Sequence, residues 1–284
     1  MRAKNSIQQL GIIGYGQMGA AMAPLLGAHR ELVVYDVDQA RLDIARSAGT
    51  RVASDVARCA ASEVLILALP GPREVREVLR NLGRPGQLII DTTSLDAATA
   101  QCAERLLSRR GACYVEAPVL GGPPQVGSWV FLCGGDEGST QEALDALQRL
   151  GAGVHFGPVG KGSEAKLLNN MLTGLNAAAV AEMLTVARRL GTDVAKLQAA
   201  IQSSHSAGRN PVLEIRVPKI LAGTLQDTFS MSNMFKDLSL AVAMAQDVAV
   251  GVPLTSLGSD LFQQAMEKGW GLRDIGFLSE ALTT

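Results

Sequence analysis

The chain has 284 residues, 47% of them hydrophobic, with 26 basic side chains against 27 acidic ones. A formal net charge of -1 offers no basic surface for nucleic acid or an anionic membrane, and no apolar run reaches the roughly 18 residues that span a bilayer. Four scattered cysteines (Cys59, Cys102, Cys113, Cys133) with neither a CxxC nor a metal-ligand spacing fit reduced thiols in a cytoplasmic protein, and residues 1–10 lack the apolar core of a signal peptide.

The first element is a strand-like run, residues 10–13, that breaks into Gly14-Tyr15-Gly16-Gln17-Met18-Gly19 and opens a helical segment from about residue 18 to 26. The spacing has a mechanism. The first glycine makes the strand-to-helix turn, the second lets backbone approach a pyrophosphate, and the third lets helix and strand pack closely. A second strand over 31–36 ends in Asp36, roughly 20 positions past Gly14, where a carboxylate accepts from a ribose 2′-hydroxyl. This points to NAD, with NADP disfavoured. Pro24 inside the first helix predicts a bend.

Further strand-like runs lie at 51–53, 64–69, 88–91, 113–116, 129–133 and 154–156, separated by helical or turn-rich segments. That alternation predicts an α/β fold with a doubly wound, mostly parallel sheet, whose ligands gather beyond the carboxyl ends of the strands. Three strand ends carry Leu69-Pro70-Gly71, Asp91-Thr92-Thr93-Ser94 and Glu116-Ala117-Pro118-Val119-Leu120-Gly121-Gly122. Thr93 and Ser94 read equally as helix N-caps or as site groups. Gly121 and Gly122 form either a simple turn or backbone donors for a carboxylate.

The stretch 157–170 organises the rest. Its glycines and Pro158 mark a loop, Ser163 offers an N-cap oxygen, and the next strong stop is Gly191. Apolar residues at Leu168, Met171, Leu172, Leu175, Ala179, Met183, Val186 and Leu190 predict one long inter-domain helix over 163–190. Lys166 and Asn170 share a face of it, and the small residues Thr173, Gly174 and Ala177 leave room for something to lie against that face. The domain expectation is therefore a dinucleotide-binding domain over 1–162 and an all-helical domain over 163–284. Candidate helices in the latter are 193–202, 211–220, 232–250 and 255–269, with Lys236 snorkelling from the third. His29, His155 and His205 share no spacing with acids or serines that suggests a triad, and no metal site is expected.

Taken together, these motifs resemble the β-hydroxyacid dehydrogenases, the family of 3-hydroxyisobutyrate dehydrogenase and tartronate semialdehyde reductase. The likeness is collinear over nearly the whole chain: Gly14–Gly19, Leu69-Pro70, Asp91–Ser94, Glu116–Gly122, the block 160–170, and Lys236-Asp237-Leu238. It implies a Rossmann domain followed by an all-helical domain, a homodimer or homotetramer, and a small carboxylate substrate. Lys166 falls on the family's catalytic lysine, and Asn170 on the asparagine that orients the substrate. Gly14 to Gly19, Asp36, Leu69, Pro70, Ser94 and Lys236 fall on cofactor contacts, and Thr93, Leu120, Gly121 and Gly122 on the substrate-carboxylate region.

Two departures stand out. Leu120 occupies the place of the usual serine before the paired glycines, and Trp129 that of a smaller aliphatic residue. Hydride transfer makes or consumes an alkoxide, so a proton must be exchanged within hydrogen-bond reach, and Lys166 can do this if like charges at Lys161 and Lys236 lower its proton affinity. Lys166 speaks against an imine reductase of the same architecture. Lys166 and Asn170 together speak against a non-catalytic dinucleotide-binding module.

Overall fold

The computed structural model describes residues 9–28 and 30–283; His29 and most of the stretch read for a targeting segment lie outside them. The chain divides into two compact units, Met1–Lys166 and Leu167–Thr284.

In the first unit, six strands form one sheet: β1 (Gln9–Ile13), β2 (Glu31–Tyr35), β3 (Arg51–Val52), β4 (Val64–Leu67), β5 (Leu88–Asp91) and β6 (Cys113–Glu116). Their order is β3-β2-β1-β4-β5-β6 and every pairing is parallel. This is the Rossmann arrangement, with the order reversing between β1 and β4. The helices α1 (Gln17–Gly27), α2 (Gln39–Ser47), α3 (Val56–Ala60), α4 (Pro72–Val78), α5 (Ala97–Ser108) and α6 (Glu137–Leu147) complete it. Successive strand side chains point to opposite faces, so the apolar runs build two cores. Leu10, Ile12, Val64, Ile66, Leu88 and Ile90 pack with α1 and α6. Ile13, Leu65, Leu67 and Ile89 pack with α3 to α5.

The expected strands at 129–133 and 154–156 do not extend that sheet. They belong to a separate three-stranded one of β7 (Val119–Leu120), β8 (Trp129–Cys133) and β9 (Gly151–His155), in which β7 runs antiparallel to β8. A mutual pair of backbone hydrogen bonds between Glu116 and Gly134, both 3.0 Å, links the end of β6 to the end of β8. Helix α1 runs through Pro24 to Gly27 without a break.

The long helix α7 (Lys161–Leu190) starts two residues before Ser163 and stops at Gly191, whose φ of +69° suits a residue without Cβ. Beyond it lie α8 (Val194–Ser203), a π-helical turn (Val212–Arg216), α9 (Val217–Leu221), α10 (Met231–Asp247), α11 (Pro253–Glu267) and α12 (Leu278–Thr283). Asp193 and Ser230 cap α8 and α10 by accepting from Lys196 N and Asn233 N. The small-residue face of α7 is filled rather than vacant. A Cβ on Gly174 would lie 2.9 Å from both methyls of Leu238, and Ala177 is buried, so these residues let α10 pack close. Much of the apolar stripe instead faces outward: Leu168, Leu172, Val186 and Leu190 are all exposed. No helix among the described residues is long and apolar enough to cross a membrane.

Candidate active site

The glycine loop after β1 answers to each steric demand of its spacing. Gly14 has φ +101°, and a Cβ there would sit 2.2 Å from the Ala68 carbonyl oxygen. A Cβ on Gly19 would lie 2.0 Å from the Gly14 carbonyl oxygen, so this glycine seats α1 on the turn. At Gly16, among the described residues, only Arg41 would come within 4 Å, at 3.7 Å, which leaves the loop open there. No side chain caps α1 at Gly16. An open backbone at a helix start fits a pyrophosphate. Tyr15 is buried, Met18 half-buried and Gln17 exposed.

Asp36 lies just past β2, buried, with its carboxylate fixed from three sides. Oδ2 accepts from Tyr15 N at 2.7 Å and Oδ1 from Asp38 N at 2.9 Å, while Arg41 Nη1 approaches Oδ2 at 3.3 Å. Arg41 was not singled out in the sequence, because nothing in the spacing says that α2 turns its cation back to the strand end. The first unit thus has the features a dinucleotide needs: a bare helix start, an open glycine and a fixed carboxylate.

Next along the sheet edge, Thr93 Oγ1 accepts from Leu69 N at 3.2 Å, which ties the ends of β4 and β5 together. Thr93 is buried, Ser94 half-buried and Pro70 exposed. The N-cap of α5 is Asp96, accepting from Thr99 N. Asp91, under this edge, accepts from Thr93 N and from the Tyr114 hydroxyl. Burial pushes its carboxyl up to about 6, against the pull of those two donors.

Leu120 sits on β7 opposite Val130, half-buried. Gly121 has φ +110° and is followed by Gly122, whose amide donates to Gln125 Oε1 at 2.9 Å. Of the two amides read as candidate donors for a carboxylate, that of Gly122 already carries a side-chain acceptor. Trp129 does more than pack the sheet: its Nε1 donates to the Gly122 carbonyl at 2.7 Å.

Lys166 lies in the second turn of α7, half-buried, and its Nζ donates to the Val119 carbonyl at 2.7 Å. The Lys161 ammonium, expected to repel that of Lys166, closes an ion pair with Glu164 at 2.7 Å that offsets its charge. Ser163 does not act as the N-cap. Its hydroxyl donates to Glu116, as does its amide at 3.2 Å, and the amides of Gly160 and Gly162 reach the same carboxylate at 2.6 and 2.9 Å. Burial pushes the Glu116 carboxyl up, with the Ser163 hydroxyl and the three amides pulling the other way. Cys133, buried beside it, is pushed up to about 12 by burial and by the Glu116 charge.

In the second unit, Asn170 is buried and donates through Nδ2 to Asp237 Oδ2 at 2.6 Å. A carboxylate only accepts, so Asp237 dictates which end of the Asn170 amide faces it. Asp237 Oδ1 lies 3.2 Å from Lys236 Nζ, a distance for an ion pair but without hydrogen-bond alignment. Glu116 and Asp237 appeared in the sequence only as parts of motifs; their partners lie 44 to 67 positions away, beyond any local signal. His155 is held by the carbonyls of Gly135 and Gly157.

Comparison with known proteins gives the same architecture a family. A profile for the NAD-binding domain of 6-phosphogluconate dehydrogenase matches residues 9–160. A second, for the NAD-binding region of NADP-dependent 3-hydroxyisobutyrate dehydrogenase, matches residues 160–278. The chain is similar to the mitochondrial 3-hydroxyisobutyrate dehydrogenase of Homo sapiens, with 31% identity over 300 residues, 99% of this chain and 88% of that protein. It is 27% identical over 279 residues to the 2-(hydroxymethyl)glutarate dehydrogenase of Eubacterium barkeri, covering 94% of this chain and 92% of the relative. The solved 3-hydroxyisobutyrate dehydrogenase of Mycobacterium tuberculosis with L-serine superposes with a TM-score of 0.85 at 25% identity, covering 98% of this chain and all of that one. The strand order, the glycine loop and these matches agree that the chain belongs to the β-hydroxyacid dehydrogenase family.

Proposed function

We propose that the protein interconverts a small β-hydroxyacid and its semialdehyde, with Lys166 as the group that gives and takes the proton. The observation that carries this reading is the pair on α7: Lys166, with its ammonium held at the Val119 carbonyl, and Asn170 one turn on, with its amide oriented by Asp237. A bound nicotinamide supplies and removes the hydride. In reduction Lys166 protonates the nascent alkoxide, and in oxidation it takes the hydroxyl proton back. Asn170 gives one Nδ2 hydrogen to Asp237 and keeps the other for the substrate oxygen. The Gly121-Gly122 backbone receives the substrate carboxylate, which displaces Gln125 from the Gly122 amide.

Gly14 to Gly19 hold the pyrophosphate and Asp36 the adenosine ribose, and this supports NAD over NADP. Leu69, Pro70, Ser94 and Lys236 supply further cofactor contacts, and Thr93 and Leu120 line the substrate's acid end. The exposed Leu168, Leu172, Val186 and Leu190 on α7 support a homodimer or homotetramer. The four free cysteines, Cys59, Cys102, Cys113 and Cys133, support a cytoplasmic protein. Absorbance of the reduced nicotinamide, followed with a panel of hydroxyacids, semialdehydes and cyclic imines, tests the reading. Turnover of the first two classes is expected; turnover of imines alone would replace it with an imine reductase.

A further inference from the structure

Glu116 is a buried carboxylate that the chemistry above does not use. Its surroundings are built around it. Four donors converge on its two oxygens, all from residues 160–163 at the start of α7. The backbone leaves no slack: a Cβ on Gly134 would fall 2.1 Å from Glu116 Oε1, and one on Gly162 2.2 Å from the Leu132 carbonyl oxygen. A negative charge at the start of a 30-residue helix also matches its dipole.

Three residues beyond Glu116, the start of β7 presents the Val119 carbonyl that receives Lys166 Nζ. The link between them is pinned on both sides. Ala117 N donates to the Asp91 carbonyl at 2.7 Å, and the Pro118 carbonyl accepts from Leu132 N at 2.9 Å. One rigid strut therefore grips α7 at its first turn through Glu116 and at the tip of Lys166 through Val119.

We infer that Glu116 is a positioning residue for Lys166, fixing the rotation and depth of the first turns of α7 so that the lysine ammonium meets the Val119 carbonyl. This rests on the reading of Lys166 as the acid–base group. It goes further by assigning the precision of that group to a carboxylate 50 positions earlier, whose oxygens are taken up by the start of α7. Misplacing a reacting group by about 1 Å costs up to roughly 10²-fold in rate.

The test compares the wild type with Glu116→Gln, which keeps the shape but turns one acceptor into a donor facing backbone N–H groups. The expected result is a kcat on the best hydroxyacid of the panel lower by about tenfold or more, with KM and the Kd for NADH within about twofold. Independently of turnover, the Lys166 Cε–Hε NMR signal, identified by its absence in Lys166→Met, should move to the position of exposed lysines. Glu116→Asp, which keeps the charge but has a shorter reach, should recover part of the rate. Should Glu116→Gln fail to fold, Ser163→Ala removes one of the four donors and should give a smaller change of the same kind. An unmoved Lys166 signal with unchanged kcat in whichever variant folds overturns the inference, as does an equal loss of NADH binding and rate. Full turnover by Lys166→Met would instead overturn the acid–base reading, while the NMR comparison would still judge Glu116.

Discussion

The indole N–H of Trp129 donates to the Gly122 carbonyl at 2.7 Å while the edge of its ring lies where a Cβ on Gly121 would be, 2.8 Å from Trp129 Cδ1. Gly121 is thus required twice, by its φ of +110° and by the tryptophan beneath it. Trp129→Phe keeps the buried ring and deletes the donor. It should lower stability by about 1 kcal/mol, the net worth of one such bond. The KM for a carboxylate substrate should rise several-fold with kcat little changed. Steady-state kinetics beside a urea melt checks both, and an unchanged KM would mean the loop keeps its shape without the bond.

The Asp36–Arg41 pair gives the proposed preference for NAD a direct test. A carboxylate about 4 Å from a 2′-phosphate charge would repel it by up to ~4 kcal/mol at an effective dielectric of 20. Even a screened ~1.4 kcal/mol gives tenfold preference for NAD. Arg41, 3.3 Å from Asp36, offsets part of that repulsion. Arg41→Ala should therefore widen the ratio of kcat/KM for NAD over NADP, chiefly by weakening NADP. A wild type that uses NADP as well as NAD would remove Asp36 as the selector.

Stability should carry the signature of Asp91. Its carboxyl is pushed from 3.8 up to about 6 by burial, so the folded protein holds the proton more tightly than the unfolded chain. Stability from this group is complete below its unfolded value and is lost as the pH rises through about 6. Two units correspond to ~3 kcal/mol. Asp91→Asn does not titrate, so its unfolding free energy relative to the wild type should improve by that order between pH 4 and pH 7. Parallel denaturation curves across that range would show that Asp91 is charged at no cost.

The sequence disclosed what local physics enforces and hid what distant partners enforce. Gly14, Gly16 and Gly19 were legible because turn, approach and packing each forbid a side chain at a fixed offset. Strands β5, β6 and β8 were legible because continuous apolar runs have few other uses. Strand β7 was not, since Val119–Leu120 is two residues long and exists only by pairing with β8. Ser163 looked like a cap because serine before a helix usually is one; nothing nearby announced that Glu116 would take its hydroxyl. Gly174 and Ala177 looked like vacant room because a single helix cannot show the neighbour that fills it, here Met234 and Leu238 of α10.

The proposed place of Leu120 at the substrate's acid end carries a test of its own. A serine there would donate to the substrate's acid group, and its absence removes on the order of 1.5–3 kcal/mol of charge-assisted bonding. The half-buried leucine adds apolar surface worth up to ~2 kcal/mol under a bulkier substrate. Wild-type activity on 3-hydroxyisobutyrate and tartronate semialdehyde should accordingly be poor. Leu120→Ser should raise kcat/KM for both, mostly through KM, and lower it for the preferred substrate. Efficient wild-type turnover of those small acids would strip Leu120 of any part in specificity.

The most direct measurement is turnover by Lys166→Met and Lys166→Ala with saturating cofactor and the best hydroxyacid of the panel. A positioned acid–base group contributes roughly 10²–10⁴-fold. The account predicts a fall in kcat of that size with the Kd for NADH essentially unchanged, because Lys166 serves the substrate oxygen and not the cofactor. A kcat within a few-fold of the wild type would contradict it and place the proton on another group.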